Sequence, residues 1–335
     1  MKLKNKRILL TGGAGFIGST LAERLINENE ILIYDNFSRD SIKYKNIKSK
    51  NLRIVKDDVL NAEALKIECE DFKPEVVIHL AAIAGIDTVI INPVKTLDVN
   101  INGTLNLLKA LEKHSDRLER FLDFSTSEVL GAYAYKSSEK SDTNFAAVGE
   151  GRWTYSISKV AGEHLVHSYF KQYGYPAVTI RPFNIYGPGQ VGEGAIQIFI
   201  KNVVRNKNIE IHGDGDQIRS WCYIDDMIEG IDKCLINKNA VGEIFNIGNP
   251  KGTITISSLA EKIVTICKSK ARIIYVPKNY VDVELRIPSI EKAKELLGFM
   301  PKVDLNEGIL RTYKWYKKNL QQTKLKLNPI RTLEK

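Results

Sequence analysis

The sequence predicts an α/β protein built on a doubly wound parallel sheet, followed by a smaller α/β lobe. Three observations support this prediction. Short apolar segments alternate with amphipathic segments through the first 180 residues, a glycine-rich turn follows the first apolar segment, and the alternation stops after Pro182. Gly and Pro then cluster over residues 187–194, which is typical of a loop.

The apolar pattern and the flanking residues place each element. The second predicted strand ends at Asp35, Pro74 precedes the fourth, and apolar residues from Val94 onward recur three or four apart, as in a helix. The predicted strands are 6–10, 31–34, 52–55, 76–80, 121–125 and 177–181. The predicted helices are 19–27, 62–72, 93–112 and 155–173.

Composition narrows the class of protein. The 335 residues carry a net charge of +9 and are 43% hydrophobic and 27% charged, which is usual for a globular chain. We expect a cytoplasmic protein without membrane attachment, because no apolar run could span a bilayer and the N-terminus does not resemble a signal peptide. The lysines are spread along the chain without a nucleic-acid-binding motif, so we expect no nucleic-acid partner. The four cysteines form no metal-binding pattern, so we expect no metal.

The glycine-rich turn, Thr11-Gly-Gly-Ala-Gly-Phe-Ile-Gly18, follows a predicted strand and begins a helix. This is the context of a dinucleotide-binding loop. Gly12 and its neighbour Gly13 allow the tight turn, Gly15 lets the backbone approach a pyrophosphate, and Gly18 lets the helix pack on the strand. The turn therefore predicts a Rossmann-type dinucleotide site.

An acidic residue follows the loop at the expected distance. Asp35 ends the second strand, where its carboxylate can bind a ribose diol and would repel a 2′-phosphate, which favours NAD over NADP. Arg39 nearby leaves NADP as an alternative. Asp58 and Val59 are placed to flank the adenine. The remaining candidate cofactor residues are Phe16, Ile17, Asn36 and Ala81.

Tyr155 and Lys159 lie four residues apart at the start of a predicted helix, and therefore on one face. A lysine cation within reach favours the phenolate, so we expect Tyr155 to act as a base near neutral pH. Ser125-Thr-Ser-Glu128 follows the fifth predicted strand, at the ligand-binding edge of the sheet. Thr126 would bind the hydroxyl that is oxidised. Glu128 is a candidate acid, base or positioning group.

These motifs together resemble the extended short-chain dehydrogenase/reductases, specifically their nucleotide-sugar epimerase, dehydratase and decarboxylase group. Further segments that carry the resemblance are His79–Ala82, Asn100–Thr104, Arg181–Pro188, Arg219–Asp226 and Phe245–Gly248. The resemblance implies that Asn184 and Arg219 contact a substrate diphosphate and that Lys159 also holds the nicotinamide ribose. It also implies a homodimer formed through the helices 93–112 and 155–173.

The resemblance implies a first step shared by the whole group, oxidation of the sugar at C4. Ser127 stands where the dTDP-glucose-type 4,6-dehydratases carry an Asp, whereas Thr-Ser-Glu at Thr126–Glu128 is similar to UDP-glucuronate decarboxylases and GDP-mannose-type dehydratases. Asp282–Ile290 resembles a decarboxylase segment, in which the arginine matching Arg286 lies in the active site. Ser127, Glu128 and Arg286 are thus further candidate catalytic residues, and Arg286 is a candidate substrate-binding residue.

We therefore favour oxidative decarboxylation of a UDP-hexuronic acid such as UDP-glucuronate, which would make the enzyme a lyase. The alternatives are a 4-epimerase, a 4,6-dehydratase and, outside the family, a protein that binds NAD as a sensor.

The chain departs from the family pattern at Leu130, where the family has Tyr, and in the long polar segment 132–150 and the loop 84–92. The predicted domains are an NAD-binding domain (1–181), a substrate lobe (182–320) interleaved with it around 220–248, and a basic tail (321–335).

Overall fold

The computed structural model describes residues 3–145, 147–277 and 282–326, without the side chains of 321–326. The strands are β1 (Arg7–Thr11), β2 (Glu30–Asp35), β3 (Leu52–Lys56), β4 (Val76–His79), β5 (Arg120–Phe124), β6 (Tyr133–Ser137), β7 (Ala177–Pro182), β8 (Ile185–Tyr186), β9 (Ile209–His212), β10 (Ile218–Ser220), β11 (Cys222–Tyr223), β12 (Ile244–Ile247), β13 (Thr253–Thr255), β14 (Ile273–Val276) and β15 (Leu285–Pro288). The helices are α1 (Phe16–Leu25), α2 (Ala62–Phe72), α3 (Ile86–Ile91), α4 (Pro93–Leu97), α5 (Gly103–Ala110), α6 (Thr154–Tyr173), α7 (Ala195–Val204), α8 (Ile224–Ile236), α9 (Ile256–Ile266), α10 (Glu291–Leu297) and α11 (Leu305–Lys326).

The central sheet has seven parallel strands in the order β12-β7-β5-β4-β1-β2-β3. The chain winds outward from β1 in one direction through β2 and β3 and in the other through β4, β5 and β7. Ligands of such sheets bind where this direction reverses, at the carboxyl ends of the strands. The predicted doubly wound parallel sheet is confirmed.

Both faces of the sheet are buried because helices cover both of them. Alternate residues of each strand point to opposite faces. Residues such as Ile8 and Leu122 pack with α1 and α8 on one face. Their neighbours Leu9 and Phe121 pack with α2, α5 and α6 on the other. The near-continuous apolar strands of the sequence are therefore strands covered by helices on both sides.

The single long helix predicted over 93–112 is wrong in its middle. The chain forms α4, then a π-helical turn over Asp98–Asn102, then α5. The buried Asn100 lies in this turn, where its amide accepts a hydrogen bond from the Ile83 N–H and donates to the Ile83 carbonyl and to Ser158 Oγ. Such wide turns commonly accompany functional sites, and this one fixes the loop beside the glycine turn to α6.

The second half of the chain builds a smaller layer over the carboxyl edge of the sheet. Its main sheet has the order β13-β10-β15-β6, with β14 paired to β9 and β11 to β8. Two strands cross the predicted domain boundary, since β6 joins this smaller sheet and β12 returns to the central one beside β7. The predicted basic tail begins within α11, which ends at Lys326, and its remainder lies outside the described residues. No helix in the described ranges is long and apolar enough to span a membrane.

Candidate active site

Two clefts meet at the carboxyl edge of the central sheet. The first, of about 300 Å³, runs across the glycine turn and the ends of β2, β4 and β5. Its walls include every residue predicted to bind the cofactor: Gly12, Gly15, Phe16, Ile17, Gly18, Asp35, Asn36, Asp58, Val59, Ala81 and Lys159. The folded chain thus brings these dispersed residues to one surface.

The glycine turn is tightly constrained. Gly12 has φ +68°, and a Cβ on it would lie 2.5 Å from the backbone nitrogen of Ala81. A Cβ on Gly18 would lie 2.6 Å from the Cα of Gly13, so the start of α1 packs directly against the turn. In contrast, a Cβ on Gly15 would meet only the Gly12 carbonyl oxygen, at 3.2 Å, and otherwise point into the cleft. Three glycines therefore serve two different needs: close packing at Gly12 and Gly18, and ligand access at Gly15.

The acidic end of β2 is held in place by the backbone. The buried Asp35 carboxylate accepts hydrogen bonds from the N–H groups of Ala14 (2.9 Å) and Phe37 (2.6 Å). Burial raises the pKa of this carboxyl, and the two backbone donors lower it. Beside it, the Asn36 side chain donates to Asp58 Oδ2 at 2.9 Å, which joins the ends of β2 and β3 into one rim.

Arg39, the residue that left NADP as an alternative cofactor, is bonded to other protein groups. Its guanidinium donates to the Ala84 carbonyl and lies 3.7 Å from the Glu193 carboxylate. Glu193 in turn accepts hydrogen bonds from the N–H groups of Asp87 and Thr88. The segment 84–92, expected to be a loop, contains the helix α3. Arg39 and Glu193 therefore link this helical segment to the loop 187–194 along the boundary between the two clefts.

The residues of the first cleft fit NAD. Helix α1 begins at Phe16 after the N-cap residue Gly15, with no side-chain cap and no acidic residue in its first turn, so its N–H groups remain available to a pyrophosphate. The Asp35 carboxylate suits a ribose diol. At the far end, the buried Ser125 hydroxyl has no hydrogen-bond partner among the described residues and lines the cleft. Within the same described ranges, no group of His, Cys, Asp and Glu could hold a metal ion.

Tyr155 lies where the two clefts meet and lines both of them. Helix α6 begins one residue earlier, so Tyr155 occupies its first turn and Lys159 follows one turn later. The Thr126 hydroxyl hydrogen-bonds the Tyr155 hydroxyl and also accepts the Glu128 backbone N–H at 3.2 Å. The predicted trio of Tyr155, Lys159 and Thr126 is thus assembled at the junction.

The charge balance at Tyr155 differs from the expectation. Burial and the neighbouring Glu128 carboxylate raise the pKa of Tyr155, against the smaller lowering effect of the Thr126 hydrogen bond. The Lys159 ammonium donates instead to the carbonyl of Phe124, at the end of β5. The expected lowering of the Tyr155 pKa by Lys159 is therefore not present in this structure. The phenol remains protonated near neutral pH until further positive charge enters the site.

The second cleft, of about 470 Å³, lies under the smaller lobe and contains a cluster of three arginines and two carboxylates. Arg219 on β10 and Arg286 on β15 are direct neighbours in the parallel register, which explains why residues so distant in sequence meet. Arg152 approaches from the turn before α6. The carboxylates are Glu128 and Asp282, so this cluster has one positive charge more than it has negative charges.

Glu128 lies at the centre of this cluster. Arg152 donates to both of its oxygens, at 2.5 and 3.1 Å, and Arg286 lies 3.4 Å away. Burial would raise the pKa of Glu128, but these guanidinium groups outweigh burial and hold the pKa at about 2. Glu128 is therefore a carboxylate at any physiological pH and cannot donate a proton.

Of the other predicted residues, two line the second cleft and one lines neither cleft. Asn184 lines the second cleft with a left-handed backbone (φ +41°), and its side chain donates to the Ser220 carbonyl at 2.9 Å. Arg219 also lines this cleft, donates to the Val283 carbonyl and lies 3.4 Å from Asp282. Ser127 is buried and is not among the described residues that line either cleft.

Two members of the arginine cluster, Arg152 and Asp282, were not predicted as site residues. Asp282 begins the segment 282–290 that resembles a decarboxylase, and Arg152 lies three residues before Tyr155, so both stand close to residues that the sequence singled out. Their roles became visible only through pairing: Arg152 holds Glu128, and Asp282 lies within 4 Å of both Arg152 and Arg219. These pairs join residues from separate elements, 24 to 130 positions apart, whose relative placement the sequence pattern does not reveal.

Fold and site together define an NAD-dependent enzyme with a Tyr/Lys pair between a dinucleotide cleft and a second, arginine-rich cleft. Residues 8–248 match the model of the "NAD dependent epimerase/dehydratase family". The chain belongs to this family, and NAD is its cofactor.

Similar proteins include enzymes with different reactions. The chain is 33% identical to a UDP-N-acetyl-alpha-D-glucosaminuronate decarboxylase of Bacillus cytotoxicus, over 93% of this chain and 98% of the relative. It is also 33% identical to a UDP-glucuronate 4-epimerase of Thermodesulfobacterium geofontis, over 94% and 98%. A solved structure of Bacillus cereus UDP-glucuronic acid 4-epimerase, in complex with UDP-glucuronic acid and NAD, superimposes with a TM-score of 0.84 at 32% identity, covering 93% of this chain and 99% of that one.

Proposed function

We propose that this enzyme oxidises a UDP-hexuronic acid at C4 and then releases its C6 carboxylate as carbon dioxide. The observation that carries the proposal is the arginine cluster around Glu128, which offers cations and no proton donor. The three similar enzymes described above, each named for a UDP-linked uronic acid, support the same substrate class. We also propose the division into an NAD-binding part and a substrate lobe, with the arginine-rich cleft as the substrate site.

The shared first step uses Tyr155. Its hydroxyl oxygen takes the proton of the sugar C4 hydroxyl while hydride leaves C4, which requires the phenolate form. Bound NAD supplies a cationic nicotinamide ring that accepts this hydride. The Thr126 hydroxyl hydrogen-bonds the Tyr155 hydroxyl, and the Lys159 ammonium, one turn further along α6, donates to the Phe124 carbonyl. The product is a ketone at C4.

The second step follows from the position of the ketone. A ketone at C4 makes the C6 carboxylate part of a β-keto acid, so the C5–C6 bond breaks, carbon dioxide leaves, and the electron pair forms an enolate across C4 and C5. A proton from solvent water then adds to C5, which gives the 4-keto pentose. Arginine suits the recognition of the carboxylate because its paired N–H donors match two oxygens. Arg286, whose Nε has no hydrogen-bond partner among the described residues, is the best-placed donor.

The same site is poorly suited to dehydration of the dTDP-glucose type. Expelling water from the sugar requires an acid that protonates the departing hydroxyl group. Ser127 replaces the Asp of the dTDP-glucose-type 4,6-dehydratases, and Glu128 has a pKa of about 2. Neither residue supplies that proton at neutral pH.

The decisive experiment incubates the enzyme with NAD and, separately, UDP-glucuronate, UDP-N-acetylglucosaminuronate and UDP-glucose, with products analysed by mass. The proposal expects loss of carbon dioxide from at least one uronate and none from UDP-glucose. An unchanged mass with inverted C4 configuration would establish a 4-epimerase, and loss of water a dehydratase. Binding of NAD without turnover of any nucleotide sugar would favour the sensor.

We further propose that the enzyme is a homodimer. Apolar side chains on α3, α4 and α6 are exposed, with Ile91 at 76% and Val94 at 79%. Together with Leu97 and Ile157 they form a patch that a second copy of the chain would cover. Light scattering should show a dimer for the parent and a monomer for Val94→Asp combined with Ile157→Asp, while a dimeric double variant would contradict this interface.

A further inference from the structure

A second group of buried charges lies beneath the active site, on the side of the central sheet that α6 covers. Residues such as Val77 and Phe121 form the apolar layer on this side. Two residues further along their strands, the same side carries His79 and Asp123, which are paired in register across β4 and β5. Polar side chains thus replace the apolar layer where the strands approach the ligands.

Lys159 extends over this polar row from α6. Only 6% of it is exposed, and its ammonium donates to the carbonyl of Phe124, the residue after Asp123. A buried ammonium loses its hydration and requires an opposite charge nearby to remain ionised. Burial accordingly lowers the pKa of Lys159, while Asp123 and Glu163 raise it.

The two carboxylates near Lys159 differ in the partners that they already have. Glu163 is held by Arg181 through two hydrogen bonds, Nε to Oε1 at 2.8 Å and Nη2 to Oε2 at 2.7 Å. Asp123 has no ion pair within 4 Å among the described residues and accepts one bond from the Thr179 hydroxyl, at 3.3 Å. Asp123 is therefore the carboxylate whose charge is available to Lys159.

We propose that Asp123 is a positioning residue that keeps the Lys159 ammonium charged from the interior side of the active site. The groups facing Lys159 are Asp123 on β5, His79 on β4, Arg181 on β7, and Glu163 and Tyr155 on its own helix. Burial and the Lys159 charge lower the pKa of His79 to about 3, so His79 is neutral. With Arg181 and Glu163 paired to each other, Asp123 and Lys159 are the remaining opposite charges.

The proposal makes Asp123 sensitive to pH within an accessible range. Burial raises the pKa of Asp123 to about 6, although Lys159 lowers it. Above that pH Asp123 is mostly ionised and supports the ammonium. Without the carboxylate, Lys159 should release its proton at a lower pH.

The test follows Lys159 directly by nuclear magnetic resonance, in protein labelled with ¹³C-lysine and assigned with Lys159→Arg. In Asp123→Asn, the titration midpoint of Lys159 should fall by about one pH unit or more, the usual effect of removing a nearby opposite charge. The matched control is Asp226→Asn, since Asp226 is a buried carboxylate that accepts backbone N–H groups of Lys302 and Val303 and is not among the residues that line the clefts. An unchanged Lys159 midpoint in Asp123→Asn would overturn the proposal.

Two further measurements complete the test. If Asp123→Asn fails to fold, Thr179→Val removes the hydrogen bond to Asp123 and should raise the Asp123 midpoint above about 6, with a parallel step in the Lys159 signal. A Lys159 signal that shows no such step would contradict the proposal. The kinetic counterpart, a shift of the alkaline limb of kcat/KM to lower pH in Asp123→Asn, rests on the proposed function, whereas the resonance measurement does not.

Discussion

The two clefts that meet at Tyr155 are built in different ways. The cofactor cleft depends mainly on backbone: a glycine turn, the open start of α1, and an Asp35 carboxylate fixed by two N–H groups. The second cleft depends on long charged side chains from separate elements, which hold one another through ion pairs. A site built on backbone geometry tolerates few substitutions, whereas a cluster of charged side chains can change specificity one residue at a time.

The largest expected effect is at the junction of the clefts. Tyr155→Phe removes the proton acceptor and should lower kcat about 10³-fold, within the range typical of general base groups. NADH binding, followed by fluorescence, should change little because the aromatic ring remains. A variant that retains more than a tenth of the parent kcat would show that Tyr155 is not the base.

The next effect tests the backbone cleft. Gly12→Val places a Cβ 2.5 Å from the Ala81 backbone at a φ of +68°, so either the turn or the end of β4 must shift. We expect NADH affinity to fall by about 100-fold, roughly 3 kcal/mol. As a control, Gly174→Ala has a similar φ of +72° but no atom within 4 Å of the added Cβ, so it should affect stability without affecting NADH binding.

The charge cluster should respond more mildly and more selectively. Arg152→Gln removes the residue that holds both Glu128 oxygens, and we expect KM for the uronate substrate to rise about tenfold. NADH affinity should be unchanged, since Arg152 does not line the first cleft. An equal loss in both clefts would mean that the two sites are not separable in the way proposed.

The last effect concerns stability and its dependence on pH rather than activity. The folded-state pKa of Glu128 is about 2, below its ordinary value of 4.5. Its ionised form thus stabilises the fold above pH 4.5, and this contribution disappears as the pH falls from 4.5 towards 2. The Tm difference between the parent and Glu128→Gln in thermal unfolding should narrow over this window. The corresponding change in the free energy of unfolding is on the order of 3 kcal/mol. A pH-independent difference would contradict the assigned charge state.

The same contrast explains what the sequence could predict. The parallel sheet, the glycine turn and the Tyr155/Lys159 pair depend on local spacing, and all three appear where expected. The break in the helix at Asn100 escaped prediction because its cause is a side chain that bonds Ile83 and Ser158, distant in sequence. The role of Arg152 escaped for the same reason. The expected fall of the Tyr155 pKa was wrong because it rested on the spacing of Tyr155 and Lys159 along one helix. That spacing gives no information about the Glu128 carboxylate, whose charge raises the Tyr155 pKa.

The return of β12 to the central sheet has a consequence for how the chain can be divided. Residues 1–181 contain the whole glycine turn and the Tyr/Lys pair, yet the strand that covers β7 comes from 244–247. A fragment ending at 181 would present β7 as a bare edge, with unpaired N–H and C=O groups open to other chains. The dinucleotide-binding half of this enzyme is therefore not an independent folding unit. A fragment of residues 1–181 should aggregate unless it also includes β12.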